Sequence, residues 1–245
     1  MAHNILSRIL YISPRCLVIN KLPGEAVEGA GAGMEDLPRL LARSLEQTET
    51  PHPEESLALP LAVHRLDVPV TGCALFARTR RALAFLNAAF AGKNAAPGIE
   101  KRYWAVTEQP RSGLVIPESG ELVHWLFFDK RKNKSFAYNE PGPGRKKAAL
   151  RYHLAGFGRN YLFFEIELAS GRHHQIRAQF AASGLYVKGD LKYGAKRSEK
   201  NGGIRLHARS LSFFDPGDTG KKITLQAAPP EDNLWLAFPG NGGTG

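Results

Sequence analysis

Cysteine is scarce in this chain: Cys16 and Cys73 are the only two in 245 residues. Both lie in apolar, strand-like contexts. That excludes a disulfide framework and points to buried thiols in a reducing cytoplasm. Long apolar runs are missing too. No stretch approaches the roughly 18 residues that span a bilayer, so no membrane partner is expected. The opening MAHNILSRILYISPRC has neither a long apolar centre nor a small-residue cleavage site, so no signal peptide is expected. Internal repeats and heptads are absent, which removes solenoids and coiled coils. No glycine-rich phosphate loop occurs, and the cysteines lack zinc-ligand spacing. His64, His173 and His174 are set aside as ligands, because adjacent histidines at a helix start are expected to point in different directions. Neither cofactor nor metal is expected.

Acidic residues are also short, with 23 Asp plus Glu against 33 Lys plus Arg and a net charge of +10. The deficit is uneven. Residues 25–56 hold eight carboxylates (Glu25, Glu28, Glu35, Asp36, Glu46, Glu49, Glu54, Glu55) against Arg39 and Arg43. Outside that segment 31 basic residues face 15 acidic ones. Such a surplus concentrates a polyanion, and nucleic acid is the partner it fits. The acidic stretch would repel RNA. Residues 25–60, rich in Gly, Pro, Glu and Thr around a short helix at 37–45, are therefore expected as an acidic surface insertion. The chain is expected to form a single domain spanning 1–245, monomeric, with no separate N-terminal RNA-binding domain. Its hydrophobic content of 43% suffices for an ordinary core.

Strand patterns occur at 9–20, 72–77, 100–108, 125–129, 135–138, 148–155, 161–168 and 204–214. Helical spacing occurs at 80–90, where Leu83, Leu86 and Phe90 share a stripe and Gly92 follows, and at 173–182, where Ile176 and Phe180 share a face. Strands outnumber helices and short turns join many of them. That pattern predicts an α+β fold with a largely antiparallel sheet. The 125–138 hairpin has a basic tip, Lys130, Arg131, Lys132 and Lys134. Arg145-Lys146-Lys147 and a loop with Lys188, Lys192, Lys196, Arg197 and Lys200 add further charge. These turns are the expected phosphate contacts.

One acidic residue stands apart. In VHRLDVPVTGCALFART, residues 63–79, Asp67 sits in a tight polar turn ahead of a strand with no polar face. An unpaired carboxylate there is costly and calls for a cation. Held in such a place it can be a nucleophile or an acid/base. The alternative is a turn cap through its side chain.

These stretches together resemble the RluA-type pseudouridine synthases. The family's H-R-L-D-x-x-[TS]-[ST]-G motif stands here as His64-Arg65-Leu66-Asp67-Val68-Pro69-Val70-Thr71-Gly72. Lys101-Arg102-Tyr103-Trp104-Ala105 is similar to its K-x-Y-x-A strand. Gly171-Arg172-His173-His174-Gln175-Ile176-Arg177 is similar to its G-R-x-H-Q-[IL]-R helix start. Gly189-Asp190-Leu191-Lys192-Tyr193-Gly194 matches G-D-x-x-Y-G, and Leu206-His207-Ala208 matches L-H-A. The opening LVINKLPG resembles N-K-P-x-G, with Leu22 where proline is usual. The likeness covers about residues 10–230. Two positions depart from it: Val70 replaces the usual threonine and Thr71 the usual serine.

The resemblance implies a long mixed sheet with flanking helices and a central basic cleft. It also implies isomerisation of a uridine in structured RNA, ribosomal or transfer, without a cofactor. That reaction breaks the C1′–N1 bond, turns the uracil and rejoins it through C5, and it needs the base flipped out of its stack. By resemblance Asp67 is the catalytic aspartate. Arg177 is the cation expected to grip it bidentately and keep it ionised. Tyr103 is expected to stack on the base and exchange a proton. Ile176 and Leu206 would close the pocket, and Arg65 would fill the vacated stack. His64, Lys101 and Arg172 join the basic hairpin tip as expected RNA contacts. A chain without an appendage is expected to read a short stem-loop. The competing reading is a catalytically impaired RNA-binding protein on the same fold, supported by Val70 and Thr71.

Overall fold

The computed structural model describes residues 4–29, 35–46, 56–92, 98–110 and 114–239. Residues 30–34 and 47–55 of the acidic segment lie outside that set. In chain order the elements are β1 (Ile9–Ile12), β2 (Cys16–Lys21), α1 (Leu37–Glu46), β3 (Ser56–Ala62), β4 (Thr71–Thr79), α2 (Arg80–Ala91), β5 (Glu100–Glu108), β6 (Ser119–Asp129), β7 (Lys134–Tyr138), β8 (Lys146–Phe157), β9 (Tyr161–Leu168), α3 (Gln175–Ala182), β10 (Leu206–Asp215), β11 (Asp218–Gln226) and α4 (Asn233–Leu236). Short 3-10 turns occupy Ile5–Arg8 and Leu191–Tyr193. The fold is α+β, as the strand-rich pattern predicts.

The chain forms two compact units: Met1–Lys101 with Ala208–Ala228, and Arg102–His207 with Pro229–Gly245. In the first, β4 lies beside β2 and β10, β3 pairs with its C-terminal end, and β11 pairs with β10. The β2–β4 register sets Lys21 opposite Gly72 and Cys16 opposite Ala77. Every residue of β4 is buried. Cys73, Leu75 and Ala77 pack with Cys16, Val18, Leu86, Leu211 and Phe213. A strand covered on both faces reads as a continuous apolar run, and 72–77 does. Burial pushes both thiols up to about 12, so they behave as small apolar groups. Thr79 caps α2 by accepting from the Ala82 amide at 3.1 Å, and Gly92 ends that helix in the left-handed region.

Part of the expected insertion belongs to this core. Leu37, Leu41 and Leu45 of α1 are buried, and α1 packs on β3. Residues 56–60, inside the expected surface excursion, belong to strand β3, which pairs with β4.

In the second unit β5, β9, β8, β6 and β7 follow one another, all registered pairs antiparallel. Trp104, Val106 and Phe163 form one buried patch with Trp235 and Phe238 from the C-terminal stretch. Helix α3 packs against β6 and β7. It is fixed by Gln179, whose amide nitrogen donates to the carbonyls of Leu122 (2.9 Å) and Ala148 (3.3 Å).

Candidate active site

In the first unit, Asp67 occupies a turn held from several sides. Its carbonyl accepts from the Val70 amide at 2.9 Å, and the Val68 carbonyl accepts from the Gly24 amide at 3.0 Å. Val63, Leu66 and Val70 are buried, while Asp67 is only partly so. Gly72 has φ +110°, and a Cβ there would stand 2.3 Å from the Ala208 carbonyl oxygen. Glycine alone fits where the turn enters β4. Beneath the turn lies the lysine of the LVINKLPG stretch. Lys21, with no exposed surface, points its Nζ at three carbonyls: Leu22 at 3.0 Å, Val68 at 2.9 Å and Val70 at 2.6 Å. The valine at position 70 therefore works through its backbone, and its side chain is buried.

The neighbours of Asp67 have defined duties. His64 Nε2 accepts from the Leu75 amide at 3.2 Å, and its ring stacks on Phe90 with centroids 5.0 Å apart. Accepting there requires a neutral ring. Burial first, and the Lys101 ammonium second, push its pKa down to about 4. Lys101 is itself buried, its Nζ 5.4 Å from the Phe90 centroid. Lys101 is thus buried in this unit and His64 partly so. Arg65 is exposed and pairs with Glu28 at 3.6 Å.

In the second unit, Tyr103 on β5 is buried opposite Ile166 of β9. Arg177 on α3 holds Asp190, with Nε to Oδ2 at 2.6 Å and Nη2 to Oδ1 at 2.8 Å. Arg177 thus holds Asp190 bidentately, a residue given no role from the sequence although it lies in the Gly189–Gly194 motif. The same motif supplies Tyr193, whose ring centroid is 4.9 Å from the Arg177 guanidinium. The Tyr193 hydroxyl accepts from the Ser135 amide (2.9 Å), donates to the Ser135 carbonyl (3.1 Å) and meets His174 Nδ1 at 2.9 Å. Ile176 and Leu206 are buried.

His173 and His174 do not diverge as expected. Their ring centroids are 3.9 Å apart, and His173 leans on Phe128 at 4.0 Å. The cause is His174's left-handed backbone, φ 52°, which turns the chain sharply ahead of α3. The helix accordingly starts at Gln175 rather than 173. Gln175 Oε1 accepts from the Ser170 hydroxyl (2.8 Å) and the Arg172 amide (3.0 Å), pinning the approach loop. Arg172 is exposed, and its Nε donates to the Lys147 carbonyl at 3.3 Å.

The basic turns divide into exposed charges and charges engaged within the protein. Lys130, Arg131 and Lys132 are exposed at the β6–β7 tip. Lys134 instead donates to the Lys192 carbonyl at 2.6 Å and lies over the Tyr193 ring. Lys188 was expected in a basic loop. It is largely enclosed in an ion network in which it pairs with Glu199, and Arg205 bonds Glu199 (2.8 Å) and Asp232 (2.5 Å).

Comparison with known proteins gives this arrangement a family. Residues 15–182 match the family model described as RNA pseudouridylate synthase. The chain belongs to the RNA pseudouridylate synthase family. It is 31% identical over 234 residues to ribosomal large subunit pseudouridine synthase C of Salmonella typhimurium, covering 92% of this chain and 66% of that one. It is 28% identical to an uncharacterized RNA pseudouridine synthase of Zymomonas mobilis, covering 96% and 99%. It is 27% identical to the uncharacterized RNA pseudouridine synthase YlyB of Bacillus subtilis, covering 89% and 65%. The chain thus spans about two thirds of YlyB, and 53% of a Mycobacterium tuberculosis relative. Among solved structures, human RNA Pseudouridylate Synthase Domain Containing 4 shares the fold, with a TM-score of 0.69 and 20% identity over 95% of this chain and 91% of that one.

Proposed function

We propose that this chain is an RNA pseudouridine synthase, with Asp67 as its catalytic aspartate and Tyr103 and Arg177 as its partners in the reaction. The observation that carries the proposal is the Asp67 turn. A partly exposed carboxylate stands on a loop fixed by buried bonds to Lys21, Gly24 and Gly72's close approach to Ala208. Fixed placement of an accessible carboxylate is what nucleophilic or acid/base work requires. A surface that only binds an anion gains nothing from it. Family membership supplies the reaction: glycosidic cleavage at C1′–N1, rotation of the uracil and closure through C5.

In this reading Tyr103 lies against the flipped base and serves the proton transfer at C5. Arg177 acts from a fork already oriented by Asp190 and by the Tyr193 ring. Arg65, exposed beside the turn, fills the gap the base leaves, and Lys130, Arg131 and Lys132 contact phosphate. The substrate is a uridine in a ribosomal or transfer RNA stem-loop, and the place of action is the cytoplasm. The relatives named for the large ribosomal subunit favour ribosomal RNA.

The test is tritium release. Isomerisation removes the hydrogen from uracil C5, so RNA labelled there should lose tritium to water with the wild-type protein and not with Asp67→Asn. Binding of the same RNA without release would favour a non-catalytic RNA-binding protein.

A further inference from the structure

The β6–β7 hairpin has two faces. On one, Leu126 packs with Ala178 of α3, and His124 meets Gln179 of the same helix at 3.2 Å. That is also the face of Tyr103. It stands opposite Ile166, Ile166 opposite Tyr152, and Tyr152 opposite Gly120, which shares a side of β6 with His124 and Leu126. The other face of the hairpin carries four aromatic side chains in two directly opposed pairs, Trp125 with Tyr138 and Phe127 with Phe136. Phe127 is 39% and Tyr138 37% exposed, and Trp125 and Phe136 are half-buried. A contiguous group of rings open to solvent marks a surface that meets a partner.

The charges around the rings select that partner. The Lys132 and Lys134 ammonium groups lie 5.6 and 5.7 Å from the Phe136 centroid. The Arg145 guanidinium lies 3.6 Å from the Tyr138 centroid and donates to the Glu140 carbonyl at 3.1 Å. Lys147 is registered opposite Trp125 and is exposed. Asp129, at the end of the same face, accepts from the Arg131 and Lys132 amides at 2.9 and 3.1 Å. An apolar protein surface gains nothing from cations set around its edge. A run of nucleotides uses both features: phosphates meet the cations, and flat bases stack on the rings and on the guanidinium plane. In a duplex the bases already stack on one another, so the rings can serve only unpaired ones. We propose that this face is a second RNA site, which stacks about two or three unpaired nucleotides on Trp125, Phe127, Phe136 and Tyr138, on the side of the sheet turned away from Tyr103 and α3. The proposal takes its ligand from the reading of the chain as an RNA enzyme and needs no role for Asp67.

The experiment measures binding of the full chain to a short single-stranded oligouridylate and to a blunt RNA duplex of the same length, at several salt concentrations. Wild type, Phe127→Ala, Tyr138→Ala and Phe127→Tyr are compared, with urea unfolding beside them because paired rings also steady a hairpin. Each ring deletion should weaken single-strand binding about 5- to 150-fold and leave duplex binding within about twofold. The salt slope should not change, since no charge is lost. Phe127→Tyr keeps a ring and should bind like wild type. Trp125 gives a readout that needs no deletion: single-stranded RNA should quench its emission, and the quenching should be lost in Trp125→Phe. Single-strand binding that ignores both deletions overturns the proposal, as does an equal loss toward the duplex or an unchanged Trp125 emission. So does a wild type that fails to bind the oligouridylate, the result expected of a face that meets a protein. If the wild type releases no tritium from RNA labelled at uracil C5 while the ring deletions still weaken single-strand binding, the reading of function falls and the stacking site stands.

Discussion

The guanidinium of Arg177 and the carboxylate of Asp190 form a two-bond fork, at 2.6 and 2.8 Å, with side chains only 5% and 1% exposed. A planar pair of this kind fixes the direction of the arginine as well as its charge. Removing the carboxylate takes away two of the bonds that hold a buried cation. Asp190→Ala should therefore cost about 3–5 kcal/mol in urea unfolding. Asp190→Asn keeps an acceptor and should cost less, yet lower turnover because the arginine loses one bond of its fork. An Asp190→Ala protein of unchanged stability would mean the pair is not the anchor described here.

The hairpin tip gives a sharper test now that its charges are sorted. Lys130, Arg131 and Lys132 are exposed, so neutralising them should weaken RNA binding and flatten its salt dependence by roughly 0.7–0.9 log units for each phosphate they had neutralised. Lys134→Ala should differ in kind. It removes the bond to the Lys192 carbonyl, so it should lower stability more than it changes the salt slope. Binding measured at several salt concentrations, beside urea unfolding, separates the two.

His64 predicts a pH dependence of stability. Its folded pKa of about 4 lies below the ordinary histidine value of 6.5, so between those values the unfolded chain binds the extra proton. Stability should fall as pH drops from 6.5 to 4, by roughly 2–4 kcal/mol for a shift of this size. His64→Gln keeps an acceptor for the Leu75 amide without titrating. It should show a shallower slope over that window, and equal slopes would show that His64 is not buried neutral.

Much of this fold is legible in the sequence. β9 and the strand at 100–108 have the expected bounds, because their alternation and breakers are clear. Other elements are masked by their composition. β3 carries Pro60 and follows a Glu- and Pro-rich stretch, so it reads as loop until its pairing with β4 is seen. β11 has one buried side chain, Ile223, among exposed polar ones, and leaves almost no alternation to read. The division into two units falls inside β5 and β10, where no linker composition marks it. Site residues follow the same rule. Asp67, Tyr103 and Arg177 stand out by motif. The contacts of Lys21 and Asp190 appear only in three dimensions, since Lys21 reaches 47 and 49 residues along the chain to Val68 and Val70.

The most direct test of the central claim is pseudouridine mapping of total RNA from cells carrying the wild-type protein, no protein, or Asp67→Asn. One or a few uridines should be modified with wild type and unmodified in the other two. A site still modified with Asp67→Asn, or no site that depends on the protein although it is expressed, would contradict the account.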